Sequence, residues 1–547
     1  MHDAVADARQ RNLMLCIFAL GAIVMFFLNA LVDNAVVFHD EYVYKAAADL
    51  NLDQAETYRK GLNDYIPNRL FVLVYGLASR AGQNYYLAAQ FFNVVFWALG
   101  LLAVCELARE LGLRGRQLAG LAGLSVLLPF GMYSKYFMPE SLYFLMFSVS
   151  ALLFFRGFFL PSVRAMVGAG VVAGLAYYVK PHAVFIVAGS LLFLLCAGGP
   201  VRRRLRTMAL YTAGFGVVVV AGRLLIDKPD HLATLGVYDQ MARGMLSTLA
   251  AMFGDPGKAW RAVWTVAQGH LVILLSLWSI AILSALSGVR ALRRGDAERQ
   301  HYFKVWLLML TTMLFGVVVA FTVLAGEVGR LHSRYYCFLY PFLLIALFAY
   351  QPGAHSRREK LLMSAVAVAA GLALLTLPDY AGALSVSLVS DAPELGFVFL
   401  SRGATLALAL LLVAVQVAAV WRGRNALLIV LALVFVASQL YVRQAQSHMF
   451  RGPYTDGKDA LMVQQLLGAE RMKSALVLAE SRDVLSKFLF NLTAIPYVRI
   501  QPLAQLADAV RDYPNASAYL LLTESFDAGA GLNCDKIGQR VVRCVRR

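Results

Sequence analysis

The sequence predicts a polytopic α-helical membrane protein of about 13 transmembrane helices, followed by a small C-terminal α/β domain. Of its 547 residues, 60% are hydrophobic and 15% are charged, whereas soluble domains have about 45–50% and about 25%. The mean hydropathy is +0.63. The apolar residues come in blocks of about 16–24, a length that crosses a bilayer core of about 30 Å. These observations exclude a cytosolic enzyme, a coiled coil and a disordered protein.

The first apolar block, Leu13–Val32, follows Arg9 and Arg11. It is too long for a signal-peptide core and lacks a small-x-small cleavage site, so we interpret it as a retained first span. Apolar block length predicts the remaining spans at residues 85–107, 117–134, 140–158, 164–179, 182–198, 207–226, 264–287, 304–324, 335–350, 361–378, 397–420 and 426–442.

The net charge of +17 follows the topology rather than indicating nucleic-acid binding. Basic residues collect in short links between apolar blocks, as in residues 109–116, 202–206, 290–294, 357–360 and 422–424. Arginine-rich short loops are typical of the cytoplasmic side. Alternating spans from a cytoplasmic N-terminus place all these links on one side. Residues 33–83, 227–262 and 379–396 and the C-terminal tail then lie on the other side.

We expect a transmembrane catalytic domain at residues 1–442, with residues 33–83 as a first outer loop, and an α/β domain at residues 443–547. Short strands are predicted at 475–479, 497–500, 518–522 and 540–545, and helices at about 457–471, 482–493 and 503–512. If this domain lies outside the cytoplasm, Cys534 and Cys544 are placed to form a disulfide. We expect the domain to serve as a scaffold or to dock the acceptor.

Two adjacent carboxylates, Asp40 and Glu41, follow the first span and are flanked by a histidine and two tyrosines. Adjacent side chains diverge on any regular element, so one carboxylate can point into a site while its neighbour binds backbone or metal. The alternative is an interfacial aromatic belt with two solvated acids. An amphipathic stretch that includes Arg69 comes next and is suited to lying along the membrane interface.

This layout resembles the GT-C superfamily of membrane glycosyltransferases. The similarity consists of a first span, an outer loop with an Asp-Glu pair, interfacial helices and a Pro-containing entry to the next helix. The plan of about thirteen spans with an external C-terminal domain is most similar to the lipid A aminoarabinose transferases, and arabinosyltransferases and protein O-mannosyltransferases share the superfamily. The resemblance implies a bacterial inner (plasma) membrane enzyme with a periplasmic active site.

Three further clusters fit this resemblance. Pro139-Glu140 in the second outer turn resembles the second acidic site of the superfamily, although an acid at a helix start is also favoured by the helix dipole. Lys180 can neutralise a lipid-linked phosphate, or it can be a snorkelling lysine. Arg330 and Arg334 would share a helix face near free N–H groups and so form an anion site.

The resemblance implies inverting transfer of a sugar from a polyprenyl-phosphate donor to a glycolipid, polysaccharide or protein of the cell envelope. Asp40 is the predicted general base, and Glu41 or Glu140 orients substrate or a divalent cation. A divalent metal is the only cofactor we expect, with Glu41 and His182 as candidate ligands. Donor phosphate binding is assigned to Arg330, Arg334, Lys180 and His332. Substrate binding is assigned to His39, Tyr42, Tyr44, Arg69, Lys135 and Tyr335.

Two other functions fit parts of the sequence. A lipid or solute transporter or flippase would place charged residues and broken helices near the bilayer midplane, whereas most candidate residues here lie at the outer ends of spans. A polysaccharide polymerase or ligase that uses a lipid-diphosphate donor predicts the same basic cluster.

Overall fold

The computed structural model describes residues 2–30, 41, 69–225, 247–375, 391–394, 401–449, 454–479, 488, 497–498, 506–523, 532–539 and 541–546. Each of the predicted spans overlaps a helix of this part of the chain. The helices that precede the C-terminal domain are α1 (His2–Ala30), α2 (Arg69–Gly76), α3 (Tyr85–Glu110), α4 (Gly115–Leu127), α5 (Glu140–Phe159), α6 (Val163–Val179), α7 (Ala183–Cys196), α8 (Val201–Leu225), α9 (Pro256–Leu283), α10 (Ala285–Arg294), α11 (Arg299–Leu324), α12 (Tyr340–Phe348), α13 (Arg357–Leu374), α14 (Arg402–Arg422) and α15 (Asn425–Met449).

A multi-pass membrane protein is confirmed by the length and composition of these helices. Among the described residues, eight helices are long and apolar enough to cross a bilayer. A ninth span results if α4 and the 3₁₀ segment Pro129–Lys135, which are bent by 50° relative to each other, are counted together. The helices Val163–Val179, Ala183–Cys196 and Cys337–Phe348 are apolar but shorter. The count of thirteen spans therefore stays a prediction.

Prolines set the helix ends that shape the candidate site. Pro129 lacks a backbone N–H and disfavours helix at the residue before it, so α4 ends at Leu127 and a 3₁₀ segment follows. Pro139 precedes α5, which begins with Glu140 in its first turn. Pro181 likewise ends α6 just before Lys180. The breaks at Pro139 and Pro181 lie next to Glu140 and Lys180, and the ion pair between these two residues brings both breaks to the same end of the helix bundle.

Helices α6 and α8 pack with their backbones in direct contact. A Cβ atom added at Gly170 would overlap the carbonyl oxygen of Tyr211, and one added at Gly214 would overlap the carbonyl oxygen of Val167. Small residues allow this close approach in membrane helix pairs. The contact fixes the end of α6 that carries Lys180.

The C-terminal region contains α16 (Tyr454–Lys473), α17 (Leu506–Asp512) and a five-stranded sheet. Its strands are β1 (Leu476–Ala479), β2 (Tyr497–Val498), β3 (Tyr519–Leu522), β4 (Leu532–Lys536) and β5 (Val541–Arg546), in the order β2-β1-β3-β5-β4. Strand β1 runs parallel to β2 and β3, and β5 runs antiparallel to β3 and β4.

The sheet presents two buried faces. Val477, Leu520 and Val541 join the main hydrophobic core of the membrane region, whereas Leu478 and Tyr519 pack in a second core that includes residues of α17. Five strands with two covered faces make the predicted α/β domain. The predicted helix at 482–493 lies outside the described residues except for residue 488.

The disulfide expected between Cys534 and Cys544 is present. The two cysteines lie directly opposite each other on β4 and β5. Strand β4 itself was missed, because its sequence Leu532-Asn533-Cys534-Asp535-Lys536 is polar and mostly exposed. Polar, charged residues are typical of an edge strand such as this one.

Candidate active site

The chain turns that carry the predicted site residues meet at one end of the helix bundle. These turns precede α5, join α6 to α7 and join α11 to α12, and residues 391–394 add a fourth segment. Glu140, Lys180 and Arg334 come from three of these segments. Their contacts with one another and with Asp391 form the candidate site.

Glu140 and Lys180 form a buried ion pair. The Nζ of Lys180 lies 3.0 Å from Oε1 of Glu140, and the side chains are 11% and 5% exposed, respectively. The other oxygen of this carboxylate, Oε2, is buried and has no hydrogen-bond partner among the described residues. A buried polar atom without a partner is uncommon and is often found at functional sites.

The ring of Tyr335 lies close to the side chains of His182, Lys180 and Arg334. The imidazole of His182 stacks on this ring with a centroid distance of 4.8 Å. The Nζ of Lys180 lies 5.0 Å from the ring centroid, and the Cζ of Arg334 lies 5.3 Å from it. These distances are within the range of cation–π attraction, about 6 Å. Tyr335 therefore positions groups from two distant turns.

The imidazole of His182 lies close to the charged side chains of Lys180 and Arg334. Its Nδ1 is buried and has no hydrogen-bond partner in the described part of the chain. The ring can accept or donate one hydrogen bond to a substrate hydroxyl.

Asp391 holds both arginines of the predicted phosphate site. Its carboxylate is buried. Its Oδ2 lies 2.7 Å from Nη2 of Arg330, and its Oδ1 lies 3.2 Å from Nε of Arg334. Ser333 donates a hydrogen bond of 2.7 Å to the Asp391 carbonyl oxygen. Asp391 thus orients two guanidinium groups that start four residues apart.

Glu327 is a second carboxylate that binds Arg330, and it also binds His332. Its carboxylate lies 2.6 Å from Nε2 of His332 and 3.0 Å from Nη1 of Arg330. The hydrogen bond with His332 lowers the pKa of the Glu327 carboxyl. The charge of Arg330 also lowers this pKa, whereas partial burial raises it. His332 was predicted to bind the donor phosphate, and the structure shows its Nε2 engaged with Glu327.

Glu394 anchors the 391–394 segment to the helix bundle. Tyr340 donates a hydrogen bond of 2.5 Å to its Oε1, and Ser438 donates one of 2.8 Å to its carbonyl oxygen. Burial raises the pKa of the Glu394 carboxyl. Because Tyr340 lies on α12 and Ser438 on α15, the position of Asp391 is fixed by two helices.

The sequence predicted a group of cationic side chains for phosphate binding, and the structure shows that each of the following cations is paired with a carboxylate. Lys180 is paired with Glu140, and Arg330 and Arg334 are paired with Asp391. Sequence reasoning missed Asp391 and Glu394, which it had treated only as part of an outer loop. The residue types alone carried no signal, because their partners lie 61 and 54 positions away.

Glu41 is the member of the acidic pair that the structure describes. It is buried, and its Oε1 accepts a hydrogen bond of 2.7 Å from the N–H of Phe137. Phe137 lies in the turn three residues before Glu140. Glu41 therefore sits beside the turn that carries the second candidate carboxylate.

Of the other residues predicted to bind substrate or act on it, the structure describes the side chain of Lys135. Lys135 is buried, and its Nζ donates a hydrogen bond of 3.0 Å to the carbonyl oxygen of Asn29 on α1, a contact that holds the turn in place. Outside the described part of the chain lie His39, Asp40, Tyr42, Tyr44 and the side chain of Arg69.

A metal site does not form among the described residues. In that part of the chain, no group of three or more His, Cys, Asp or Glu side chains comes together in a way that could hold a metal ion. Glu41 instead binds the backbone of Phe137, and His182 stacks on Tyr335. A divalent cation at Glu41 and His182 stays a prediction.

Replacing Glu140 with glutamine is expected to destabilise the protein by about 3–5 kcal/mol, because Lys180 would be left as an uncompensated buried charge. The double variant Glu140→Gln/Lys180→Met should recover much of this loss. Thermal unfolding of the purified protein measures both effects.

The matched control is Asp508→Asn, which breaks an exposed ion pair of 2.7 Å with Arg511. Such pairs contribute about 0–1 kcal/mol. Equal shifts for Glu140→Gln and Asp508→Asn would show that the buried pair has no special role.

Comparison with known proteins gives one family match. Residues 74–225 match the model of the dolichyl-phosphate-mannose-protein mannosyltransferase family. This range includes Glu140, Lys180 and His182 and ends before Arg330 and Asp391. No curated protein matches the chain.

Two solved structures from Archaeoglobus fulgidus are similar at low identity. The oligosaccharyltransferase AglB, in complex with an inhibitory peptide and a dolichol-phosphate, has 13% identity and a TM-score of 0.46 over 93% of this chain and 69% of its own. An oligosaccharyltransferase tethered to an acceptor peptide with the NVT sequon has 13% identity and a TM-score of 0.45 over 89% of this chain and 64% of its own. The chain therefore spans about two thirds of their length, and likeness at this level does not extend to activity.

The GT-C resemblance of the sequence agrees with the multi-pass helical architecture and with this family match. The match covers the helices that carry the Glu140–Lys180 pair. The chain is a multi-pass membrane protein, and its residues 74–225 are similar to the dolichyl-phosphate-mannose-protein mannosyltransferase family.

Proposed function

We propose that the chain transfers a sugar from a polyprenyl-phosphate donor to a glycolipid, polysaccharide or protein acceptor at the outer face of a bacterial inner membrane, with inversion at the anomeric carbon. The main support is that Lys180 and Arg334 both lie near the ring of Tyr335 at one end of the helix bundle. Lys180 also pairs there with Glu140. In the proposed orientation the N-terminus is cytoplasmic, and the C-terminal domain lies outside the cytoplasm.

The donor phosphate is proposed to bind at Arg330 and Arg334. A guanidinium presents five N–H donors in a rigid fork that matches phosphate geometry. Asp391 lies 3.2 Å from Nε of Arg334 and 2.7 Å from Nη2 of Arg330, so its carboxylate holds the two guanidinium groups near each other. As the bond between sugar and phosphate breaks, these oriented charges stabilise the developing negative charge on the phosphate, an effect that is often the largest catalytic contribution.

The acceptor hydroxyl is proposed to lose its proton to Asp40 as its oxygen attacks the anomeric carbon. A single base with direct displacement inverts that carbon and releases polyprenyl phosphate. The support for this assignment is that Glu41, the neighbour of Asp40 in the sequence, binds the N–H of Phe137 in the turn that carries Glu140. The unpartnered Oε2 of Glu140 is proposed to accept a hydrogen bond from a sugar hydroxyl.

The family description guides the choice of substrates. It names a lipid-phosphate mannose donor and a protein acceptor, so polyprenyl-phosphate mannose and an unfolded protein are the first pair to test. Arabinose, aminoarabinose and glucose donors, and lipid A and polysaccharide acceptors, complete the proposed range.

A transfer assay tests the proposed function. The full chain in lipid nanodiscs is given each radiolabelled polyprenyl-phosphate sugar with each acceptor, and the product is isolated and its anomeric configuration determined. We expect one donor–acceptor pair to give a new glycosidic bond of inverted configuration. Retained configuration would exclude the single-base displacement, and transfer from lipid diphosphates alone would favour a polymerase or ligase.

A further inference from the structure

A groove of about 510 Å³ lies between α4 and α15. Its walls are apolar and include Leu124 and Leu127 from α4 and Leu428 and Ile429 from α15. The volume is within the range of about 300–1,000 Å³ that is typical of small-molecule sites. Ile429 is 63% exposed, so the groove is open at the surface of the helix bundle.

The polar residues of the groove are confined to one end. Arg116 and Gln117 lie in the first turn of α4, Asn425 is the first residue of α15, and Arg424 directly precedes it. The groove runs along α4 from Arg116 to Leu127, which is about 16 Å at 1.5 Å per residue. This is about half of a bilayer core of about 30 Å, so the groove has the depth of one leaflet.

Arg424 is held in place before any ligand binds. Its Nη1 donates a hydrogen bond of 2.5 Å to the carbonyl oxygen of Tyr350, and its Cζ lies 5.8 Å from the centroid of the Phe348 ring. A side chain that is already ordered loses less conformational entropy when it binds a ligand.

The two arginines of the groove differ from others at this end of the molecule. Arg109 pairs with Glu106 at 2.7 Å, and Arg290 pairs with Glu359 at 2.8 Å. Within the residues that the structure describes, neither Arg116 nor Arg424 forms an ion pair with a carboxylate, and no acidic residue lines the groove. Two cations at the mouth of an apolar groove are complementary to a phosphate group on an acyl chain.

We propose that this groove binds one anionic phospholipid, with its phosphate at Arg116 and Arg424 and an acyl chain along α4 and α15. Basic pockets between membrane helices are suited to anionic headgroups. The inference does not depend on the proposed transfer reaction. Its ligand is a resident lipid whose phosphate lies at Arg116 and Arg424, whereas the donor phosphate is proposed to bind at Arg330 and Arg334.

Native mass spectrometry of the full chain tests the proposal. The detergent-purified protein is stripped of lipid and titrated with phosphatidylglycerol or phosphatidylcholine of the same chain length. We expect one phosphatidylglycerol to bind about tenfold more tightly than phosphatidylcholine, and Arg116→Gln/Arg424→Gln to remove this preference. The matched control, Arg202→Gln/Arg294→Gln, changes two exposed arginines outside the groove. This variant should retain the preference for phosphatidylglycerol.

A second variant guards against a folding defect, because Arg424 also binds the Tyr350 carbonyl. Leu428→Trp fills the groove and keeps both arginines, and it should also reduce phosphatidylglycerol binding about tenfold if the acyl chain occupies the groove. Equal binding of both lipids, or the same loss in the control variant, would overturn the proposal. Displacement of the lipid by millimolar inorganic phosphate would identify a free-phosphate site instead.

Discussion

Replacing Asp40 with asparagine is expected to reduce glycosyl transfer by about 10²–10⁴-fold, the usual contribution of a positioned general base. Asparagine keeps the size of the side chain and cannot take up the acceptor proton. Because the lost interaction belongs to the transition state, kcat should fall while KM for the donor changes little. Steady-state kinetics with the best donor–acceptor pair measures both constants.

Asp53→Asn is the matched control, since Asp53 lies in the same predicted outer loop and was not assigned to the site. It should keep transfer within about twofold of the unmodified protein, because Asp53 has no proposed role in the reaction. Undiminished transfer by Asp40→Asn would remove Asp40 as the base and would direct attention to Glu140.

Replacing Asp391 with asparagine is expected to lower transfer by about 10²–10³-fold, as does removal of an electrostatic group that stabilises a transition state. The reason is positional. Asp391 contacts Arg330 at 2.7 Å and Arg334 at 3.2 Å, and a neutral amide would not hold both guanidinium groups in the same orientation. The variant should also lose roughly 2–4 kcal/mol of stability, because two partly buried cations lose their shared carboxylate.

Two readouts separate the positioning role of Asp391 from a purely structural one. Thermal unfolding reports the loss of stability, and binding of polyprenyl phosphate to the folded variant reports the orientation of the arginines. The control Asp296→Asn changes an exposed acid on the arginine-rich side and should alter neither. Loss of stability with unchanged phosphate affinity would show that Asp391 only supports the fold.

The sequence was most informative about the membrane segments. Apolar blocks and arginine-rich links have a direct physical cause, the thickness and sidedness of the bilayer. Pro139 and Pro181 mark helix breaks, so the end of the molecule that holds Glu140 and Lys180 could be predicted by alternating the spans. The number of spans could not be predicted in this way, because apolar helices such as Ala183–Cys196 are too short to cross the bilayer core.

The pairing of charges could not be predicted. Alternation of spans brings Lys180 and Arg334 to one end, but it does not reveal that each has a carboxylate partner. Asp391 and Glu394 stand in a segment without apolar periodicity, and their contacts depend on tertiary packing against α12 and α15. Edge strand β4 was missed for a similar reason, since its polar residues pack against few neighbours.

Arg330 and Arg334 are proposed to form a phosphate site beside the Glu140–Lys180 pair. Equilibrium binding of polyprenyl phosphate to the full chain in nanodiscs measures the affinity of this site. We expect Arg330→Gln/Arg334→Gln to weaken binding by about 100-fold, since each charged hydrogen bond contributes about 1.5–3 kcal/mol. Arg202→Gln, at the other end of the molecule, should leave the Kd unchanged. An unchanged Kd in the double variant, with its thermal unfolding intact, would contradict the account.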